Sequence, residues 1–323
     1  MNFSSVLVVG GAGFVGRHVV NRLAAHGIRV TVPTRRRERA KHLILLPTVS
    51  VVEADVNAPG VLERLAADCD AVINLAGVLH SRPAGASSEG GKRFGQDFFE
   101  AHVELAQHVV SACRASAVKR LLHMSALGAS RDAPSEYLRS KGAGEEIVLA
   151  AEDLAVTVVR PSVIFGPEDR FLNTFAWLAA VAPVLAVACP QARFQPVYVG
   201  DVAEVFWRSL NERDAIRRRY DLCGPREYSL LELVKYVCRL RGHRRLVFGL
   251  GDGLSRLQAS ILEKLPGRLL TRDNLLSMRV PSVCDAALPF GIVPTALEAV
   301  VPLYMGHAAP SERLADLRHK ANR

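Results

Sequence analysis

The chain of 323 residues predicts an α/β fold, in which a doubly wound parallel sheet precedes a smaller mixed C-terminal lobe. Strand-like and helix-like patterns alternate through the first half, and a glycine-rich turn follows the first apolar run. After Pro161 the alternation becomes irregular. We expect a first domain at residues 1–165 and a smaller lobe at 166–323 that is interleaved with the first. A hydrophobic content of 49% is enough to bury a large core.

The first element is an apolar run at residues 6–9, which predicts a fully buried parallel strand. Gly10, Gly13 and Gly16 follow it, and the apolar period then becomes helical until Gly27. Gly10 permits a tight turn, Gly13 lets a pyrophosphate approach the backbone, and Gly16 allows close packing of helix on strand. This arrangement predicts a dinucleotide-binding domain of the Rossmann type.

The remaining elements follow in chain order. Further strands are predicted at residues 28–34, 49–56, 71–78, 120–125 and 156–160, and helices at 62–67, 98–115 and 137–151. The Gly- and Ser-rich residues 81–95 predict a mobile loop near the strand ends. The segments 196–199, 201–210, 230–240 and 254–265 are assigned to the mixed lobe. The apolar stretch 171–189 is broken by Asn173 and Pro183, so we expect a short helix and a buried strand there, not a membrane span.

The end of the second strand indicates which dinucleotide fits. A site for NAD usually has a carboxylate there to bind the ribose 2′-hydroxyl. This chain has Thr34-Arg35-Arg36-Arg37, with no carboxylate before Glu38. A guanidinium suits a 2′-phosphate. We therefore favour NADP(H) over NAD(H), with Arg35 as the main contact and Arg36 in support; the alternative is a solvated charge run.

Two neighbouring strand ends fit the same site. Asp55-Val56 closes the third strand, where a carboxylate could meet the adenine amino group. Asn74-Leu-Ala-Gly77 closes the fourth, and its small residues would let backbone pass close to a ribose. Either could also be ordinary turn chemistry.

Tyr137 and Lys141 are four residues apart, so they share one face of the predicted helix. A lysine near the nicotinamide ribose would lower the pKa of the tyrosine and make the phenol a usable acid or base. Ser125 ends the fifth strand, where a hydroxyl could polarise a substrate carbonyl. These three are the candidate catalytic residues.

Together, the glycine turn, the Tyr–Lys pair and the strand-end serine resemble the extended and atypical short-chain dehydrogenase/reductases. Arg160-Pro-Ser-Val-Ile-Phe-Gly166 is similar to the segment of that superfamily that lies along the nicotinamide. Gln195-Pro-Val-Tyr-Val-Gly-Asp201 is similar to its substrate-lobe signature. With this resemblance, the expected cofactor contacts are Gly10, Gly13, Phe14, Val15, Gly16, Thr34, Arg35, Arg36, Asp55, Val56, Leu75, Ala76, Gly77, Ser125, Tyr137, Lys141, Pro161 and Val163.

Within that superfamily, several stretches resemble the NADPH-binding accessory subunits of respiratory complex I and their bacterial relatives. These are residues 137–146, Phe165-Gly-Pro-Glu-Asp-Arg-Phe-Leu-Asn173 and Thr271-Arg-Asp-Asn. The resemblance extends from the first strand to about Gly306. It implies a tightly bound NADPH that holds the fold in place, an arginine at the position of Arg35, and a respiratory complex as partner.

One departure concerns turnover. Many extended members have two or three serines at the end of the fifth strand, whereas here Ala126 follows Ser125. Two functions therefore stay open: a nucleotide-dependent scaffold of a respiratory complex or its assembly, and an NADPH-dependent reductase or epimerase for a small carbonyl or nucleotide-sugar substrate. A nucleic-acid partner is not expected, since aromatics are 6% and no recognition motif is present.

The six cysteines are scattered without a CxxC pair, which favours reduced cytoplasmic thiols over disulfides or a metal site. No charged leader precedes the first strand, so a secretory signal is not expected. Residues 205–279 contain 16 Lys/Arg and 8 Asp/Glu. With the apolar series Leu254, Leu257, Ile261 and Leu265, this balance predicts peripheral docking on an anionic inner-membrane face or a membrane complex. Alternatively, the apolar series packs on the protein's own core.

Overall fold

The structure, a computed structural model, describes residues 3–82, 94–265 and 267–306. The chain divides into two compact units that alternate along the sequence. Unit 1 comprises Met1–Pro161, Gly200–Leu222 and Ala287–Ile292, and unit 2 comprises Ser162–Val199, Cys223–Ala286 and Val293–Arg323. Most of the loop predicted at 81–95, namely residues 83–93, lies outside the described residues.

Thirteen strands form in the described residues. They are β1 (Ser5–Val9), β2 (Arg29–Thr34), β3 (Val49–Glu53), β4 (Ala71–Asn74), β5 (Arg120–Met124), β6 (Ala155–Pro161), β7 (Ile164–Phe165), β8 (Val184–Val187), β9 (Arg193–Phe194), β10 (Val197–Tyr198), β11 (Arg219–Leu222), β12 (Tyr228–Ser229) and β13 (Leu246–Gly249).

The described α-helices number eleven. They are α1 (Phe14–Ala25), α2 (Val61–Ala66), α3 (Gln96–Phe98), α4 (Leu105–Ala115), α5 (Glu136–Leu149), α6 (Phe171–Val181), α7 (Val199–Asn211), α8 (Leu230–Leu240), α9 (Asp252–Leu262), α10 (Arg272–Ser277) and α11 (Leu297–Met305). A π-helical segment, Phe99–Glu104, joins α3 to α4, where the sequence predicts one uninterrupted helix.

Unit 1 is built on a seven-stranded parallel sheet in the order β11-β6-β5-β4-β1-β2-β3, so the predicted fold class is confirmed. The strand order reverses at β1, which pairs with β4 on one side and β2 on the other. In open parallel sheets a ligand crevice opens at the carboxyl ends of the strands at such a reversal. The glycine turn after β1 lies at that crevice.

A large part of the core of unit 1 is apolar side chains of the sheet and of α2, α4 and α5. Leu7, Val72 and Leu121 lie on β1, β4 and β5, which are neighbours in the sheet, and Val109 lies on α4. Each of these side chains is at most 1% exposed. Strands buried in this way read as continuous apolar runs, which is why the pattern at residues 6–9 predicts β1 correctly.

Unit 2 contains the stretch 171–189. It forms α6 and then β8, as predicted, and the break comes at Pro183, whereas Asn173 lies within α6. The strand is only partly buried, since Val184 is 47% exposed. β8 pairs in parallel with β13, and Leu185 and Val187 pack with residues of α8. Among the described residues, no helix combines the length and the apolar character that a bilayer crossing requires.

The prediction of reduced thiols is wrong for one pair. Cys223 and Cys284, both in unit 2, form a disulfide although 61 residues separate them in the chain. Cys69, Cys113, Cys189 and Cys238 are free. The spacing of cysteines in the sequence carries no signal for this pair, because the segment around Ser282 returns to pair beside β9 only in the folded unit.

Candidate functional site

The glycine turn after β1 is held by close backbone packing. Gly10 has a φ of +83°, and a Cβ there would lie 2.9 Å from the amide nitrogen of Ala76. A Cβ on Gly16 would lie 2.3 Å from the carbonyl oxygen of Gly10. Both positions therefore require glycine for the fold of the turn itself. Gly10 lies against the Leu75–Ala76 backbone just after β4. Two segments that were predicted to contact the cofactor, the glycine turn and residues 75–77, are therefore neighbours in the fold.

Gly13 differs from its two neighbours in the motif. It is exposed, and a Cβ there would meet only the carbonyl oxygen of Gly10, at 3.2 Å. Gly13 is the N-cap of α1, whose first helical hydrogen bond runs from the Arg17 N–H to the Gly13 carbonyl. The N–H groups of Phe14 and Val15 precede that bond, and no acidic residue lies in the first turn. Free N–H groups at an exposed helix start favour a pyrophosphate there.

The end of β2 presents two arginines to solvent. The Thr34 hydroxyl donates to the Arg36 carbonyl oxygen at 3.2 Å and shapes the turn. Arg35 and Arg36 are exposed, and the nearest ion pair in sequence, Glu38 with Lys41, does not involve them. The guanidinium groups of Arg35 and Arg36 therefore remain available to an anion at this strand end.

Asp55 lies just beyond β3, which ends at Glu53 and is shorter than predicted. One Asp55 carboxylate oxygen accepts a hydrogen bond from the Asn57 N–H at 3.1 Å, so this side chain caps a turn. Val56 packs against the core of unit 1. The geometry agrees with the turn interpretation of Asp55, and its side chain is exposed, so a carboxylate oxygen is also accessible to an adenine amino group.

The backbone after β4 passes close to Lys141. The Leu75 N–H donates to the Val9 carbonyl at 2.9 Å, and the Ala76 N–H donates to the Asn74 side-chain oxygen at 3.1 Å. A Cβ on Gly77 would lie 2.9 Å from Lys141 Nζ. Glycine at position 77 therefore leaves room for the lysine head group at the strand end.

Lys141 reaches the carboxyl ends of two strands. Its Nζ donates to the Met124 carbonyl at 3.1 Å and to the Ala76 carbonyl at 3.4 Å. The side chain is 3% exposed, and burial lowers the pKa of Lys141 to about 8. A buried ammonium at the crevice suits hydrogen bonding to ribose hydroxyls.

A polar chain that sequence reasoning did not identify runs beside Lys141. His102, in the π-helical segment, accepts through Nε2 from the Val78 N–H at 3.1 Å, so its Nδ1 carries the proton. Nδ1 donates to the Ser140 hydroxyl at 2.8 Å, which donates to the Tyr137 carbonyl at 2.8 Å. Burial lowers the pKa of His102 well below its ordinary value, which keeps the ring neutral. A lone histidine within an amphipathic helix pattern carries no signal for this role.

The structure corrects the expectation for Tyr137. Burial raises its pKa to about 12, whereas the Tyr–Lys spacing predicts a lowered value. The ring packs against His102, with centroids 5.7 Å apart, and against Phe98, at 6.1 Å. Burial among these rings thus stabilises the neutral phenol against the phenolate.

Ser125 follows β5, and its N–H donates to the Val159 carbonyl at 2.8 Å. Its hydroxyl is buried and has no hydrogen-bond partner among the described residues. Ala126 is buried beside it. An unsatisfied buried hydroxyl is costly, so a ligand that bonds to Ser125 would gain from it.

The last two predicted contacts belong to different units. Pro161 ends β6 in unit 1, and its carbonyl accepts from the Leu127 N–H at 3.0 Å. Val163 belongs to unit 2, where its carbonyl accepts from the Val197 N–H at 3.0 Å.

Unit 1 alone thus has the features that a dinucleotide requires. An exposed glycine caps a helix, and two arginines at the next strand end have no ion-pair partner in the part of the chain that the structure describes. A buried hydroxyl lies at the end of β5, and a buried ammonium lies at the ends of β4 and β5. These residues fit an NAD(P) cofactor.

Comparison with known proteins agrees with this geometry. The family described as "NAD dependent epimerase/dehydratase family" matches residues 6–223. The mouse protein named NADH dehydrogenase [ubiquinone] 1 alpha subcomplex subunit 9, mitochondrial, is 32% identical over 307 residues, which cover 90% of this chain and 77% of the mouse protein. A ceramide reductase of Caulobacter vibrioides is 36% identical over 198 residues, covering 61% of this chain and 58% of the reductase.

Solved structures agree on the fold. MoeE5 in complex with UDP-glucose and NAD superposes with a TM-score of 0.63 at 22% identity, and the alignment covers 76% of this chain and 85% of MoeE5.

Proposed function

Because this chain belongs to the NAD dependent epimerase/dehydratase family, we propose that it binds NADP(H) in preference to NAD(H) and serves as an accessory or assembly protein of respiratory NADH:quinone oxidoreductase. The match to the mouse NADH dehydrogenase subunit, along 90% of this chain, carries the proposal. A likeness of that extent includes both units, so it supports a shared role and not only a shared nucleotide fold.

Each part of the nucleotide has a proposed holder in this chain. The pyrophosphate lies over Gly10, Gly13 and Gly16 at the start of α1, where the free helix N–H groups point. Arg35 binds the 2′-phosphate with support from Arg36. Lys141 donates to the nicotinamide ribose hydroxyls. The nucleotide then links the ends of several strands, and we expect it to stabilise unit 1 as a ligand stabilises any state that binds it.

The proposed location is the cytoplasmic side of the inner membrane, with peripheral attachment to the respiratory complex. The excess of Lys/Arg in residues 205–279 supports an anionic surface as the neighbour.

The experiment that tests this function is affinity purification of the full chain from native membranes in mild detergent. We expect NADPH, in stoichiometric amount and reduced, together with subunits of the respiratory complex. The variant Arg39→Ala, which removes an exposed arginine from the turn after Arg35, should recover the same partners as the wild-type chain. Recovery of the chain with NADPH but without any respiratory subunit would overturn the accessory role and leave nucleotide binding intact.

A second candidate function is reduction of a carbonyl substrate. It is favoured by the buried hydroxyl of Ser125 at the end of β5, which has no hydrogen-bond partner among the described residues and could donate to a substrate carbonyl. The phenolic hydroxyl of Tyr137 would supply the proton. NADPH would supply the hydride. The likeness to the ceramide reductase supports this candidate, although it covers a smaller share of the chain.

Tyr137→Phe separates the two candidates, because it removes only the phenolic hydroxyl. For the accessory role we expect the affinity for NADPH to change less than about threefold, or about 0.7 kcal/mol, and association with the complex to persist. Absorbance of the reduced nicotinamide, followed after addition of carbonyls and quinones, should stay constant for the wild-type protein. Wild-type oxidation of NADPH that Tyr137→Phe stops would select the reductase instead.

A further inference from the structure

Exposed apolar side chains are concentrated in one part of unit 2. Sixteen large apolar side chains are exposed in the described residues, and ten of them lie in two segments, 177–184 and 246–269. They are Trp177, Val181, Val184, Leu246, Phe248, Leu254, Leu257, Ile261, Leu265 and Leu269. The apolar series predicted around 254–265 is thus not covered by the protein's own core.

Helix α9 presents its apolar series as one stripe. Leu254, Leu257 and Ile261 are 58%, 57% and 54% exposed, and their spacing of three and four residues places them on one helix face. Ser255 and Ala259, on a different face of the helix, are buried. The helix is therefore fixed to unit 2 by one face while it offers a second apolar face to the surroundings.

The anchoring of α9 is specific. The Gln258 side chain donates to the Ala186 carbonyl at 2.9 Å, which holds the helix beside β8. The Ser255 hydroxyl accepts from the Cys189 N–H at 3.3 Å, just after the same strand. A helix held at two points along its length keeps its stripe in one orientation without a partner.

The neighbouring strand pair carries a second exposed patch. Leu246 of β13 is in register with Val184 of β8, and the two side chains are 63% and 47% exposed. Phe248, two residues further along β13, lies on the same side and is 42% exposed. The opposite side of this pair is occupied, since Leu185 and Val187 pack in the core with α8.

The charges around these apolar residues are mostly positive. Residues 244–272 contain six Lys/Arg and two Asp/Glu. Of the two acids, Glu263 is bound to Arg272 by a salt bridge of 2.7 Å. Arg256 and Lys264, within and just after α9, are exposed. An exposed apolar stripe flanked by cations has the composition of a helix that lies in the plane of an anionic membrane surface.

We propose that α9 is an in-plane membrane-binding helix, which inserts Leu254, Leu257 and Ile261 into the headgroup region of an anionic phospholipid bilayer. The inference deepens the proposed function, because it assigns the peripheral membrane attachment of this protein to one helix. Arg256 and Lys264 contact the lipid phosphates, and the patch of Val184, Leu246 and Phe248 adds apolar contact beside the helix. The excess of cations in residues 244–272, six Lys/Arg against two Asp/Glu, favours an anionic phospholipid surface as the occupant.

Vesicle flotation tests the proposal with the full chain and no other protein. The vesicles contain phosphatidylcholine alone or phosphatidylcholine with phosphatidylglycerol, at low and at high salt. We expect binding to the anionic vesicles at low salt and at least about a tenfold weaker apparent affinity at high salt or without phosphatidylglycerol. The double variant Leu257→Glu, Ile261→Glu should reduce binding at least about tenfold further.

Leu45→Glu is the matched control. Leu45 is 86% exposed in unit 1, away from α9 in the sequence, so its substitution should change vesicle binding less than about twofold. All three substituted side chains are exposed, so we expect each variant to keep its fold. Circular dichroism and NADPH calorimetry on each variant check this. Absence of wild-type binding to anionic vesicles at low salt, or equal binding by the double variant, would overturn the proposal.

The outcome is separable from that of the proposed function. Vesicle binding by a protein that recovers no respiratory subunit would retain the membrane helix and remove the accessory role. Conversely, recovery of the respiratory complex by a protein that ignores vesicles, and its loss in the double variant, would assign the same apolar face to a protein partner and refute the lipid assignment.

Discussion

Gly13→Val is expected to abolish nucleotide binding while the chain still folds. A Cβ at this position meets only the Gly10 carbonyl oxygen, at 3.2 Å, so the turn needs to move by only a few tenths of an ångström. The branched side chain would instead project into the exposed space over the start of α1, which the pyrophosphate needs. We expect the affinity for NADPH to fall at least about a hundredfold, which is about 2.7 kcal/mol, in isothermal titration calorimetry.

Gly253→Val provides the control for an added side chain at a glycine. Gly253 lies in α9 of unit 2, and a Cβ there has no atom within 4 Å. This variant should bind NADPH as the wild type does. A folded Gly13→Val protein with full affinity would remove the assignment of the pyrophosphate to this turn. Gly16 cannot serve for this purpose, because its Cβ would clash with the Gly10 carbonyl and disturb the fold itself.

Arg35→Ala is expected to weaken NADPH selectively. A charge-assisted contact between the guanidinium and the 2′-phosphate contributes roughly 1.5–3 kcal/mol, and its loss should weaken NADPH by roughly tenfold or more. NADH lacks the 2′-phosphate, so its affinity should barely change. Calorimetry with both nucleotides measures the ratio, and Arg36→Ala should show the same selectivity with a smaller loss.

Arg39→Ala is the matched control, since it removes an equal charge from the same exposed turn. A general effect of positive potential would weaken NADPH equally in Arg35→Ala and Arg39→Ala. Equal losses for NADPH and NADH in Arg35→Ala would show that Arg35 acts on the fold and not on recognition of the phosphate.

The elements near the site were largely predictable because their local patterns agree with their tertiary environment. The buried strands read as apolar runs, and α5 occupies Glu136–Leu149, close to the helix predicted at 137–151. Strand ends were less predictable. β4 stops at Asn74, and the backbone beyond it turns toward Lys141, which a run of small and apolar residues does not indicate.

Within the site, the sequence predicted which residue types are present but not their chemical state. Tyr137 and Lys141 share a helix, yet Lys141 Nζ bonds to carbonyls of β4 and β5 strand ends, and burial sets the pKa of the phenol. His102 joined the site without any motif of its own. It does so because Gly144 allows α5 to pass so close to the π-helical segment that a Cβ would lie 2.1 Å from the His102 carbonyl oxygen.

By itself, the sequence determined the parallel α/β sheet, the glycine turn and the placement of Arg35, Tyr137 and Lys141 on particular elements. These follow from interactions between residues near one another in the chain, which leave a regular period or spacing. The tertiary structure alone decided the Cys223–Cys284 pair, the raised pKa of Tyr137, and the exposure of the stripe on α9. Each of these depends on which distant segment covers a side chain, and an apolar period is the same whether a core or a membrane receives it.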